Sequence, residues 1–429
     1  LLMDRDIVTP SDLFELSQTT FSLGTARSMA MAGAFTSLGA DLTSMAINPA
    51  GLGMYRRNEI SITPLMSFAR AENNAPTFNS NSKTGFDGNF GFTANVYEGS
   101  GPLVSVNIGF GYNRLQDLNY QYSYYTQGNV SSIADVFSDM LQYSGINRDQ
   151  ITGGFNWSNF NPGLGFDPRY KAGFTDQIGG RWQPTWIGNN VDIGNYTTVV
   201  SNGSIGEYDI SAGFNLNNKF YIGATFGIQS LYQRKTYYYG EDYVYPGNGT
   251  DPNLDYQLLY SNFNQEVILD GAGVNFKLGM IYRPIQNLRI GFAFHTPTYY
   301  WIDRTYQAYT DSGVHVNNPN DPDGLKPGPD ATNIRTPLSR TGRYGGYNWE
   351  FTTPARLMFG ISYAFGNRGL ISVDYERDWY NGMRMKNNPA GGDNEIYNDT
   401  FRSWYKGANI VRIGAEFKPL PFLAIRGGF

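Results

Sequence analysis

The sequence has no cysteine in 429 residues, only two histidines, and 16% charged residues, where about 25% is usual for a soluble protein. Without cysteine there is no disulfide framework, no thiolate nucleophile and no Cys-ligated zinc or iron–sulfur site. Long apolar runs are missing as well. The nearest candidate, Met29 to Ala40, carries Thr36 and Ser37 and falls short of the ~18 apolar residues a spanning helix needs. The net charge is −5, the isoelectric point is near 5.2 and no basic run occurs, which argues against nucleic acid as a partner. The chain opens on Leu1 with no initiator Met and no charged n-region, and reads as mature or trimmed sequence.

Glycine (51), tyrosine (32) and phenylalanine (28) are abundant. The mean hydropathy is nonetheless −0.40, so the chain is not simply greasy. Few charges, many aromatics, much glycine and a polar average suit strands that alternate between lipid and water.

The alternation is explicit. Val104, Val106, Ile108, Phe110 and Tyr112 share one face, and Ser105, Asn107, Gly109, Gly111 and Asn113 share the other. The pattern repeats at Phe90–Val96, Tyr208–Leu216, Phe220–Gln229, Val274–Arg283, Leu288–Phe294, Leu357–Phe365, Ile371–Trp379 and Val411–Phe417. A soluble sandwich also alternates. Here, however, the apolar faces tend to end in Tyr112, Tyr208, Tyr282, Phe365 or Trp379, as an interfacial girdle requires. Tight turns at Asn215–Lys219, Arg283–Asn287 and Phe365–Gly369 contrast with long loops at Gln121–Ser201, Tyr237–Leu258, Tyr309–Asn348 and Met383–Asp399. The reading is an all-β, antiparallel transmembrane barrel, of which about eleven strands are countable. It divides into a tail and hatch over residues 1–57 and a barrel over 58–429.

Two segments break the strand pattern. Ser131–Tyr143 reads as an amphipathic helix, with Ser132 and Asp135 as a capping box and Ile133, Val136, Phe137, Met140 and Leu141 on one face. It either packs on its own loop or forms an apolar lip that collects hydrophobic solutes. Thr25–Met54 is rich in small residues; Thr25–Leu38 can be helical, Asp41 can cap a further turn, and Asn48-Pro49 then stops it. A compact segment of this kind before the first strand at Glu59 suits a plug inside the lumen.

Thr25-Ala26-Arg27-Ser28-Met29-Ala30-Met31-Ala32-Gly33-Ala34, then Asp41, then Asn48-Pro49-Ala50-Gly51-Leu52, resembles the hatch of the outer-membrane long-chain fatty acid transporter (FadL-like) family. Gly291–Pro297, Thr353–Tyr363, Val373-Asp374-Tyr375, Arg412–Phe417 and Leu423–Phe429 resemble strand segments of the same family. The resemblance implies a barrel of about 14 strands in the outer membrane of a Gram-negative bacterium, with the hatch filling its lumen. It also implies passive uptake of long-chain fatty acids or similar hydrophobic molecules through an apolar pocket, a hatch rearrangement and a lateral opening. The partners would be that ligand, membrane lipid and lipopolysaccharide. The chain would act as a monomer, with no cofactor, metal or enzymatic activity.

By the same resemblance, Asn48 fixes the hatch by hydrogen bonds, Pro49 fixes its turn and Ala50 leaves room beneath the ligand, with Gly51 following. Gly109 and Gly111 are candidates for a wall kink, or simply make space for the hatch. Arg27, Lys277, Arg283 and Arg289 are candidate head-group clamps, with no motif to choose among them. The family pattern also departs here: Leu1–Thr20 precede the hatch, and two or three closing strands are expected beyond Phe429. A general porin, a receptor-like binding barrel and a barrel lipid hydrolase are the alternatives. His295 and His315 lack the neighbours that a hydrolase or a metal site would need. Asp374, Glu376 and Asp378 share a face and are expected to pair with Arg412 or Lys418. Asp321-Pro322-Asp323-Gly324 is a calcium-like turn or a plain loop.

Overall fold

Alternating segments pair into one large antiparallel sheet in the computed structural model of the chain. It describes residues 10–18, 24–69, 79–80, 83–129, 132–145, 147–149, 175–184, 191–245, 256–316, 334–335, 339–341, 349–387 and 394–429. The wall strands are β1 (Glu59–Ala69), β2 (Lys83–Glu98), β3 (Leu103–Asp117), β4 (Tyr120–Asn129), β5 (Asp192–Leu216), β6 (Phe220–Val244) and β7 (Tyr256–Ile285). Then come β8 (Leu288–His295), β9 (Tyr299–Val316), β10 (Trp349–Thr352), β11 (Arg356–Ala364), β12 (Gly369–Asp378), β13 (Arg384–Lys386), β14 (Ala408–Leu420) and β15 (Leu423–Gly428).

Four wall strands are interrupted. β3 and β4 both pair with β5, and β8 and β9 both pair with β7. β10 and β11 continue each other against β9 and β8, and β12 and β13 against β11 and β10. Pro297 and Pro354 sit in two of the breaks, where a residue without an N–H cannot donate to the ladder. Joining the pieces gives eleven wall strands among the described residues. The wall is not closed there: β1 pairs with β2 and β15 with β14, and neither has a second partner among the described residues. The expected closed ring of about 14 strands is thus met by eleven.

The outward face of the lower wall is apolar. Ile210, Ile222, Phe276, Phe292, Phe359 and Ile413 are all exposed. Phe220 stacks on Tyr282 at 4.6 Å beside the tight turns, and Tyr112 meets Tyr208 at 4.9 Å at the far edge of the band. This is the lipid-facing band with aromatic borders that a bilayer requires. Above it the outer face turns polar, with Arg234 paired to Glu266 at 2.6 Å. β5 and β6 run for 25 residues and β7 for 30, against the ~9–11 needed to cross the hydrocarbon. The ends of what reads as loop at 121–201 and 237–258 are therefore strand. Outside the lipid the outer face turns polar and the inner face mixes polar and apolar residues, and the alternation that marks a strand fades.

Residues 24–58 fill the lower lumen. The helix expected over Thr25–Leu38 is confined to α2 (Ala26–Ala30), after α1 (Pro10–Ser17). The helix ends because Ala32 and Gly33 adopt left-handed backbone, φ 53° and 73°, a conformation no α-helix continues. Two 3-10 turns follow, Leu42–Met45 capped by Asp41 and Pro49–Met54 capped by Asn48. α3 (Ile133–Ser144) forms as expected, with the capping box of Ser132 and Asp135 in place; α4 (Asn394–Trp404) precedes β14.

Glycines on the inward faces seat this plug. A Cβ on Gly223 would collide with the Pro49 carbonyl, one on Gly279 with the Asn48 side chain, and one on Gly291 with the Thr36 carbonyl. Gly213 and Gly414 meet Gly53 and Met31 in the same way, and Gly360 meets Thr36 and the Asp374 carboxylate that binds it. Gly223→Val is therefore expected to destabilise the folded protein by about 1–3 kcal/mol through overpacking, read as a lower midpoint in urea. Gly101→Ala, where nothing lies within 4 Å, leaves the midpoint unchanged.

Candidate functional site

Asn48 is the best-tied residue of the hatch. Its Nδ2 donates to the carbonyls of Thr36 (2.6 Å) and of Phe292 on β8 (3.2 Å), and its Oδ1 accepts from Ala50 N (3.1 Å). Pro49 occupies the first position of the 3-10 turn, where a fixed φ and a missing N–H cost nothing. Ala50 is fully buried against Tyr221 and Ile281. Gly51 approaches Gly39 and Ser44, and its carbonyl accepts from Ala40 N at 3.1 Å.

The wall supplies further clamps from separate strands. Asn89 donates to the Gly24 carbonyl (2.6 Å), Asn107 to the Leu52 carbonyl (2.9 Å) and Thr225 to the Met45 carbonyl (3.0 Å). Asp374 accepts from Thr36 N (2.7 Å), and His295 Nε2 meets the Ile47 carbonyl (2.8 Å). Arg27 reaches Glu416 at 3.1 Å. Gly109 and Gly111 face Met45, with Leu52 also near Gly109. The ladder to β2 and β5 runs unbroken through both glycines, and the register shifts of β3 against β5 lie at Leu103/Ser105 and Arg114/Gln116.

Directly over the hatch lies a cavity of about 70 Å3, floored by Gly33, Ala46 and Ile47. An apolar pocket above Asn48–Leu52 is the expectation; the lining of this cavity is mixed, with Ile47, Leu115, Pro354 and Met358 beside the charged Glu207, Lys277, Arg356, Glu376 and Arg412. Lys277 Nζ bonds Asp209 at 2.8 Å and also contacts Glu207, while Gln229 and Asn275 donate to Glu207 at 2.7 and 2.6 Å. Arg412 pairs with Glu376, as the shared face of Asp374, Glu376 and Asp378 suggests. Lys418 instead pairs with Glu416, at 3.4 Å. Buried charge is tolerated here because each group has a counter-ion and further hydrogen bonds.

The apolar volume lies higher. Leu115, Leu118, Ile205, Leu231, Phe263, Leu269, Tyr300, Ile302, Phe351 and Phe401 form one buried cluster. Ile133 and Phe137 of α3 are turned into it, and Phe137 meets Phe263 edge-on at 5.2 Å. Val136 is exposed and Met140 half-buried, so only part of the expected lip faces the lumen. Glu241 anchors the start of α3, accepting from Ile133 N at 2.7 Å and Ser132 Oγ at 2.6 Å.

The same cluster holds α1, which no motif announces. Leu13 and Leu16 are buried in it, and Phe14 packs on Tyr380 (4.9 Å) and Tyr405 (5.2 Å). Lys235 pairs with Asp12 (3.4 Å) and Glu15 (3.7 Å), Gln116 donates to the Glu15 carbonyl (2.9 Å), and Arg356 to the Ser17 carbonyl (3.3 Å). The charge belt left a trace in the sequence: Glu207, Asp209 and Lys277 interrupt inward faces that are otherwise small and neutral. His315 has no described side chain, and Asp321–Gly324 lie outside the described residues.

No protein-family model and no curated protein matches the chain. Among solved structures it is similar to the Ralstonia pickettii toluene transporter TbuX, at 16% identity and TM-score 0.50, over 97% of this chain and 86% of that one. It is also similar to a Pseudomonas aeruginosa FadL homologue, at 11% identity and TM-score 0.51, over 96% and 80%. The chain shares their fold.

Lys277→Met strands two buried carboxylates and is expected to cost about 3–5 kcal/mol of stability. Adding Glu207→Gln and Asp209→Asn to it restores most of that loss. Urea unfolding of the single and triple variants measures the difference.

Proposed function

We propose that the protein is an outer-membrane channel of a Gram-negative bacterium for passive uptake of hydrophobic small molecules, and a member of the FadL-like family. The observation that carries this reading is an apolar cluster inside the barrel, above a hatch tied to six wall strands. An apolar solute gains free energy by leaving water for such a cluster. The similarity to a toluene transporter and to a FadL homologue supports the reading at the level of fold. A general porin needs an open aqueous lumen, and a plug held at this many points works against one.

In this reading the solute takes the place of Leu13 and Leu16, because α1 covers the apolar side chains that a ligand would otherwise touch. Asn48 and Pro49 hold the hatch shut, and rearrangement of their turn frees the path. The charged belt between cluster and hatch resists a fully apolar solute, which favours release sideways through the wall into the hydrocarbon. The substrate class is aliphatic or aromatic hydrocarbon-like molecules, fatty acids included.

Mass spectrometry of protein extracted in a short-chain detergent is expected to detect a lipid or hydrocarbon at near-stoichiometric amount. An empty, water-filled lumen sinks the proposal. Leu13→Asp with Leu16→Asp should expel α1 and raise uptake of a hydrophobic tracer into liposomes. Asn48→Ala should change the rate while the barrel stays folded; unchanged uptake in both variants counts against a gated path.

A further inference from the structure

The chain is acidic overall, yet the tight-turn end of its lumen is basic. Lys219 lies in the turn just before β6, Arg283 near the end of β7 and Arg289 near the start of β8, so three adjacent strands bring cations to the same end of the wall. Their nearness is fixed by the ladder: Tyr282 pairs with Ile290, Ile285 pairs with Leu288, and Arg283 N donates to the Lys219 carbonyl at 2.8 Å. By the alternation of their strands Arg283 and Arg289 face the lumen, since Tyr282 and Ile290 belong to the outward set.

Among the described residues no carboxylate pairs with Lys219, Arg283 or Arg289. Asn215, Tyr221, Ile281 and Ser372, the neighbouring inward residues, are neutral. Glu416 is already shared among Arg27, Lys418 and Arg426, and Asp41 is turned into the hatch onto Thr25 and Thr43. Arg283 donates to the Gln286 carbonyl at 2.7 Å, but Arg289 has no acceptor among the described residues. Directly across the ladder from Arg289 stands Ser362 of β11, also inward-facing. Its side chain is 3% exposed, and its hydroxyl has no hydrogen-bond partner among the described residues. An unpaired guanidinium, two flanking cations and a buried idle hydroxyl thus stand in one row across four neighbouring strands at the tight-turn end.

We infer that Lys219, Arg283, Arg289 and Ser362 form an oxyanion site on the lumenal side below the hatch, built for a phosphate group. Like charges held this close repel, and a multiply charged anion bound between them removes that cost. A guanidinium offers paired N–H donors that match phosphate oxygens, and the hydroxyl supplies a further donor at the fourth strand. The phosphate can be a free ion or the head of an anionic phospholipid. The site stands whether or not the apolar cluster above takes up solute.

The test uses the full chain in phosphatidylcholine nanodiscs. Inorganic phosphate, titrated at constant ionic strength, should raise the unfolding temperature saturably. Arg289→Gln should weaken that response about tenfold or more, and Ser362→Ala a few-fold. Arg234→Gln, on the outer wall above the lipid, should match the wild type. Lys219→Gln, at an exposed turn, provides a second variant if Arg289→Gln folds poorly. In parallel, discs containing phosphatidylglycerol are extracted and the retained lipid is counted. Retention that depends on Arg289 with no response to inorganic phosphate assigns the site to a lipid head group, and the reverse assigns it to the free ion. Equal behaviour of wild type and both charge variants in the two arms overturns the inference.

Discussion

A folded segment inside a barrel has no bulk water to satisfy its backbone, so the wall must do it. This constraint organises the molecule. The hatch is mostly short turns, and short turns leave carbonyls and N–H groups without partners of their own. Side chains from separate strands meet them: Asn89, Asn107, Thr225, His295 and Asp374 each bind one hatch backbone group or more, and Asn48 reaches out to β8 from the hatch itself. Between these clamps the inward positions are glycine, because the backbones approach too closely for a Cβ. Polar clamps and glycine seats are thus two answers to one packing problem.

Above the hatch the lumen changes character twice. First comes a belt of buried charges around Lys277, Glu207 and Arg356, then a large apolar cluster capped by α3 and entered by α1. The order matters physically. Apolar groups gain by being gathered away from water, whereas buried charges need partners, and the lumen keeps the two apart in separate layers. Breaks in the wall at Thr296–Thr298 and Thr353–Pro354 lie at the level of the belt, and those residues line its cavity. Wall irregularity and buried charge therefore coincide.

The spanning part of the wall was readable from residues alone. Val274–Arg283, Phe220–Gln229 and Val411–Phe417 alternate because one face meets lipid and the other a wet lumen, and each lies inside an observed strand. The hatch was readable as a small-residue block, though not in its path: a helix over Thr25–Leu38 looked allowed, and the left-handed backbone at Ala32 and Gly33 ends it early. The upper wall was not readable. At Tyr120–Asn129 and Asp192–Ser201 polar and apolar residues are mixed on each face, and the period-2 contrast weakens. α1 was hidden for another reason. Eight residues carry too short a pattern to announce where they dock.

Sequence by itself determined the class of the protein: lipid-facing alternation, aromatic borders and a plug before the first strand all follow from local patterns of 2 to 12 residues. Tertiary structure alone decided what the lumen contains. Glu207, Asp209 and Lys277 are separated by up to 70 positions, and only strand register makes them one ionic cluster. The same holds for Leu13 against Phe263 and for Arg289 against Ser362. A pattern along the chain reports which face a side chain takes. What it meets across the barrel depends on register and on the segment that fills the inside, and neither is a local property.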